Sequence, residues 1–189
     1  LASNCHWKGP LQSKPSKLVC IPLGVENRYN AIGQAPQKYF HWIKRRAQVK
    51  ATQKLLVAFT ADARKPFRAP ALAALNAPWI TRKNFASHEA WYEAVQNHKF
   101  VACPIGHGYD THRAWEVLLG GSIPIVESTT MNSMYENLPV LIVNQWTDVT
   151  IELLDAVYSQ FLHREDFLVD KLFFSYWSNK YGLTRRITS

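Results

Sequence analysis

The chain predicts an α/β fold of three layers, Rossmann-like, in which helices cover both faces of a mostly parallel sheet. Three observations lead there. Short apolar runs at residues 55–60, 100–104, 123–126 and 140–143 alternate with segments of helical periodicity. Those runs are hydrophobic at nearly every position rather than at every second one, as strands buried on both faces are. With 189 residues, 47% of them hydrophobic and 19% charged, the chain can build a core and is neither disordered nor fibrous.

Residues 1–17, rich in Ser, Pro and Lys, read as a linker or the remnant of a preceding domain, and the Rossmann-like domain spans 18–189. A short apolar run follows at 18–23. Pro36 opens a helical stretch to about residue 54, with Tyr39, Phe40, Ile43 and Ala47 on one face. The strand at 55–60 comes next, then a short helix at 67–76 and a short strand at 78–81. Ser87 caps a helix at 89–97, and 100–104 is a buried strand. Asp110 is expected to cap a helix at 111–119 that stops at Gly120-Gly121. After the strands 123–126 and 140–143, helices at 150–162 and 166–181 close the domain.

Charge and composition exclude several classes. The first hundred residues hold 16 Lys/Arg against 4 Asp/Glu, the remainder 6 against 10. Such a field favours an anionic partner near the first half, although the cluster Lys44, Arg45, Arg46 and Lys50 also suits a solvated helix face. No apolar run approaches the ~20 residues that cross a bilayer, so no membrane segment is expected. Three cysteines without a C-x-x-C pair disfavour a disulfide scaffold and a zinc site, and Cys103 reads as packing. H-E-x-x-H and G-x-S-x-G are both absent. No bound metal or cofactor is expected. The chain starts at Leu1 and is expected to be an excised or processed piece.

In open parallel sheets ligands bind beyond the carboxyl ends of the strands. That rule selects the loops 60–68, 104–113 and 126–131. The second carries the most chemistry: Cys103-Pro104-Ile105-Gly106-His107-Gly108-Tyr109-Asp110-Thr111-His112-Arg113-Ala114-Trp115-Glu116 leaves a strand, turns through Gly106 and Gly108, and enters a helix. Glycines permit close backbone approach, and the first-turn amides supply donors for an anion. Arg113 and Glu116, at i and i+3, share a helix face. Arg113 would hold a phosphate with its planar fork, and Glu116 would accept from a ribose diol. By spacing alone, the same two residues also describe an ordinary surface ion pair worth ~0.2–0.5 kcal/mol. Asp110, Thr111 and His112 adjoin the turn, while His107 is expected in solvent. Ser128 and Thr129 follow a strand and could reach phosphate or sugar hydroxyls, or serve only as loop polarity.

The run Phe100-Val101-Ala102-Cys103-Pro104, the core Asp110-Thr111-His112-Arg113-x-Trp115-Glu116, and Gly121-x-Ile123-Pro124-Ile125-Val126 together resemble the donor-binding domain of exostosin-like glycosyltransferases, in the ribitol xylosyltransferase-type branch. The similarity continues through Tyr135, Leu138-Pro139 and Trp146-Thr147-Asp148. It runs back more weakly through Phe59-Thr60-Ala61-x-x-Arg64 to Ile21-Pro22-Leu23-Gly24.

That resemblance implies the C-terminal half of a GT-B enzyme, which holds a nucleotide-sugar donor, expected to be a UDP-sugar, for transfer to a glycan or other hydroxyl acceptor. It implies Arg113 on the diphosphate, Glu116 on the ribose and Arg64 as a second phosphate contact. A whole enzyme of this kind has a further N-terminal domain that binds acceptor, for which this chain is too short. None of the six aspartates forms an Asp-x-Asp pair, so metal-independent departure of the diphosphate is expected. The rival reading is a non-catalytic module whose basic half docks a nucleic acid or another acidic polymer.

Overall fold

Strand-period alternation sends successive side chains to opposite faces, and here both faces are covered. The computed structural model of the protein describes residues 20–26, 50–61 and 66–182. Its strands are β1 (Gln53–Val57), β2 (Ile80–Arg82), β3 (His98–Ala102), β4 (Ile123–Glu127) and β5 (Leu141–Val143). They form one sheet in the order β2-β1-β3-β4-β5, with every neighbouring pair parallel. The helices are α1 (Arg68–Ala74), α2 (His88–Asn97), α3 (His112–Gly120), α4 (Ile151–Leu162) and α5 (Phe174–Tyr181).

Leu56, Val101 and Val126 point to one face, where Trp91, Tyr92 and Val95 of α2 and Ala114, Val117 and Leu118 of α3 meet them. Leu55, Val57, Phe100 and Ile125 point to the other, against Ala71 of α1 and Leu154 of α4. The result is the expected three-layer α/β fold. Leu55, Leu56, Phe100, Val101 and Ile125 are wholly buried, and each contributes roughly 1.5–3 kcal/mol relative to exposure.

The two glycines that end α3 have separate duties. A Cβ on Gly120 would stand 2.9 Å from Val95 Cγ1, so its absence lets α3 lie close on α2. Gly121 takes the left-handed cap at φ 85°. Ser87 caps α2 as expected, its hydroxyl accepting from the Ala90 amide at 3.1 Å.

Several expected boundaries move for identifiable reasons. The linker 1–17, Lys44, Arg45, Arg46, Arg64 and most of the helix expected at 36–54 lie outside the described residues. The described part of that helix is not helical: Gln53 and Lys54 open β1. There the Thr52 amide already donates to Asn97 O at 3.2 Å, and Gln53 registers with His98. β3 begins at His98 because α2 runs straight into it without a loop.

The helix expected over 166–181 is interrupted. A 3-10 turn at Val169–Leu172 and an extended Phe173 precede α5. The cause is tertiary: Leu168 N donates to Asn137 O at 2.8 Å and Lys171 Nζ to Glu136 O at 2.6 Å, drawing that segment onto the 136–137 turn. Asp110 does not cap α3. The N-cap is Thr111, without a side-chain hydrogen bond.

Cys20 is disulfide-bonded, whereas Cys103 is a buried free thiol. No helix among the described residues is long and apolar enough to cross a membrane.

Candidate functional site

The strand order decides where a crevice opens. From β1 the chain crosses outward to β2, and from β3 it crosses the other way to β4, so the loops leaving β1 and β3 diverge. A cavity of about 880 Å³ lies at that divergence. Its walls are Ala58–Thr60 after β1, the 106–113 loop after β3 and the 84–88 segment after β2, with Leu23 and Glu26 along one edge. Of the three loops selected from sequence, those after β1 and β3 line it. The loop 126–131 does not, and the loop after β2 takes its place.

Arg113 and Glu116 both line the cavity, which removes the reading of a surface ion pair. Arg113 reaches across from α3 to the end of β1, where Nη1 donates to Ala58 O at 2.9 Å. Its guanidinium carbon stands 5.9 Å from the ring centroids of both Phe59 and Trp91. β1 ends here because the Ala58 carbonyl faces this guanidinium instead of a strand. Burial lowers the pKa of Arg113, a shift that the nearby Cys103 and Glu116 oppose. Arginine stays charged throughout.

Glu116 is 5% exposed. Its Oε1 accepts from the Glu26 amide at 3.3 Å, and its Oε2 lies 3.8 Å from His88 Nε2. Against the Gly24 carbonyl, 2.7 Å away, His112 Nδ1 must be the donor, so in the neutral ring Nε2 is the acceptor. Asp110 is 2% exposed. Its Oδ2 accepts from Leu23 N at 2.6 Å, and its Oδ1 accepts from Trp115 Nε1 at 2.7 Å and Tyr135 OH at 3.1 Å. Burial raises its pKa against the pull of these bonds. Asp110 is thus the joint that ties the 20–26 segment and the Tyr135 loop to the start of α3.

Gly106, Gly108 and Thr111 line the cavity, and His107 does so from an exposed position. A Cβ on Gly106 would meet Thr111 Cγ2 at 3.4 Å, an ordinary contact, so glycine is not sterically demanded there. Ser128 and Thr129 are absent from the lining. Ser128 Oγ accepts from Asn132 Nδ2 at 2.9 Å and Thr129 Oγ1 from Met131 N at 3.1 Å, so both build the turn after β4. Cys103 is buried behind the crevice, and burial pushes its thiol up to about 12, which agrees with a packing role and not with a nucleophile.

Compared with protein-family models and with curated proteins, the chain matches none.

The structure adds residues that the sequence did not single out. Arg68, at the start of α1, places its guanidinium carbon 5.8 Å from the Phe59 centroid and donates to Thr60 O at 3.4 Å. Two guanidinium groups therefore share one ring at the mouth of the crevice. His88 stands edge-on to Trp91, with centroids 5.0 Å apart, and lines the same cavity. A basic residue just beyond a strand exit was the available signal for Arg68. For His88 there was none, because only the approach of α2 to α3 brings it to Glu116. Among the described residues no group of three or more His, Cys, Asp or Glu is placed to hold a metal ion.

Proposed function

We propose that this chain is the donor-binding half of an exostosin-like GT-B glycosyltransferase, and that the β1/β3 crevice takes a nucleoside diphosphate sugar, preferentially a UDP-sugar. The observation that carries the reading is that Arg113 and Glu116, one turn apart on α3, enter the same crevice at the divergence of β1 and β3. In this reading Arg113 and Arg68 neutralise the diphosphate, and the first turn of α3 adds its positive end. Glu116 accepts from the ribose hydroxyls. Charge that develops on the departing diphosphate meets guanidinium groups already held by Ala58 O and Thr60 O, so little reorganisation is needed. A glycan or other hydroxyl compound is the acceptor, brought by a partner domain.

Calorimetric titration of UDP into the folded protein tests this. Saturable heat is expected, and its absence at millimolar nucleotide overturns the proposal. Glu116→Ala is expected to weaken UDP about tenfold or more while sparing inorganic pyrophosphate, which has no ribose. Equal losses for both ligands would show that Glu116 does not read the ribose.

A further inference from the structure

A second cavity, of about 350 Å³, lies between the 133–137 turn and α5 and shares no lining residue with the crevice. Lys171 and Lys180 both face it, together with Tyr176 and Tyr181. Lys171 is 4% exposed, and among the described residues no carboxylate lies within ion-pair distance of it. Among the described residues its ammonium donates to Glu136 O, at 2.6 Å. Lys180, exposed at the rim, holds its ammonium 5.6–5.8 Å from the centroids of Tyr176, Trp177 and Tyr181. Lys171 stands 5.7 Å from the same Trp177 centroid.

Two ammonium groups thus converge on one aromatic wall. Their fields add, and Glu136, an exposed residue that also lines the cavity, brings the nearby opposite charge. Burying an amine with no carboxylate in ion-pair contact is costly, and ring faces offset only part of that cost. Ammonium groups act as point charges that suit a tetrahedral oxyanion, whereas a planar carboxylate is better matched by an arginine fork. The volume exceeds what a bare anion fills and falls within the range of small-molecule sites.

We propose that this cavity binds a phosphate or sulfate monoester carried on a ring, with Lys171 and Lys180 on the oxyanion and Tyr176 and Tyr181 against the ring. The site stands on its own residues and does not depend on the function proposed for the crevice.

The Trp177 indole provides the readout, because its Nε1 donates to Lys171 O at 2.8 Å. The ¹⁵N-labelled full chain is titrated with phenyl phosphate, phenyl sulfate, inorganic phosphate and, as a neutral control, phenyl glucoside. A saturable shift of the Trp177 indole with either ester is expected, about tenfold tighter than with inorganic phosphate and absent with the glucoside. Lys180→Gln, at an exposed position, is expected to weaken the ester about tenfold. Lys171→Met should abolish the shift. If it unfolds the turn, Lys180→Gln alone decides. An unmoved Trp177, an effect confined to the Trp91 and Trp115 indoles, or equal binding by Lys180→Gln overturns the proposal. Equal affinity for ester and inorganic phosphate overturns the aromatic half of it.

Discussion

Arg113 Nη1 donates to Ala58 O at 2.9 Å, so the helix that follows β3 grips the end of β1 across the opening of the sheet. The bond does two things at once. It ends β1 as a strand, and it fixes the guanidinium between the rings of Phe59 and Trp91, 5.9 Å from each.

Removing that side chain should therefore cost both stability and ligand. Arg113→Ala is expected to lower unfolding free energy by about 1–3 kcal/mol, since a carbonyl at the cavity wall loses its donor. Arg113→Lys should recover part of that stability but little UDP affinity, because one ammonium cannot reach Ala58 O and a diphosphate with the same fork. Urea denaturation and calorimetry on the two variants separate the effects. Full recovery of UDP affinity by lysine would show that only charge matters at 113.

Asp110 gives a pH signature of unusual sign for a carboxyl. Its native pKa is raised above the ordinary 3.8, chiefly by burial. The folded state therefore binds more protons than the unfolded one, and the contribution of Asp110 falls as pH rises from about 3.8 through its native value. The stability advantage of the native chain over Asp110→Asn should accordingly narrow from pH 4 toward neutrality. Urea midpoints across that range measure it, and an advantage that widens would refute the assignment.

His98 acts in the opposite sense at the other end of β3. Its Nδ1 donates to Ala94 O at 2.6 Å, while among the described residues its buried Nε2 has no hydrogen-bond partner. Burial holds its pKa below the ordinary 6.5. The native state resists protonation, so stability drains away as pH falls below 6.5 toward the native value, by up to ~1.4 kcal/mol per pH unit. His98→Gln should flatten this limb relative to the native chain in thermal melts. An unchanged slope would assign the acid sensitivity to other groups.

Gly120→Ala tests the contact between α2 and α3. The new methyl would press on Val95, which is wholly buried and branched, so about 1–3 kcal/mol of destabilisation is expected. Val95→Ala in the same chain should restore part of it. Additive losses in the double variant would show that the two sites do not touch.

Much of the architecture was legible because it is locally encoded. Runs such as Leu55-Leu56-Val57 announce strands covered on both sides, Ser87 announces a cap, and Gly120-Gly121 announces a stop. Within the site, the placement of Arg113 and Glu116 on one face of α3 followed from helical spacing. Ser128 and Thr129 stayed open between ligand contact and loop polarity because a hydroxyl after a strand looks the same whether its loop turns toward the crevice or, as here, folds on Asn132. Asp110 carried the spacing of a cap, but Leu23, Trp115 and Tyr135 outcompeted the helix amides for its oxygens.

By itself the sequence determined the alternation of strands and helices over residues 55–162 and the face of α3 that bears the charged pair, since each depends on residues within a few positions of one another. Only the tertiary structure decided that the sheet order is β2-β1-β3-β4-β5, and hence that Arg68, His88 and Trp91 join Arg113 and Glu116 around one opening. The reason is physical: strand order is set by pairings between distant segments, and the convergence of their exit loops is a consequence of that order which no local pattern contains.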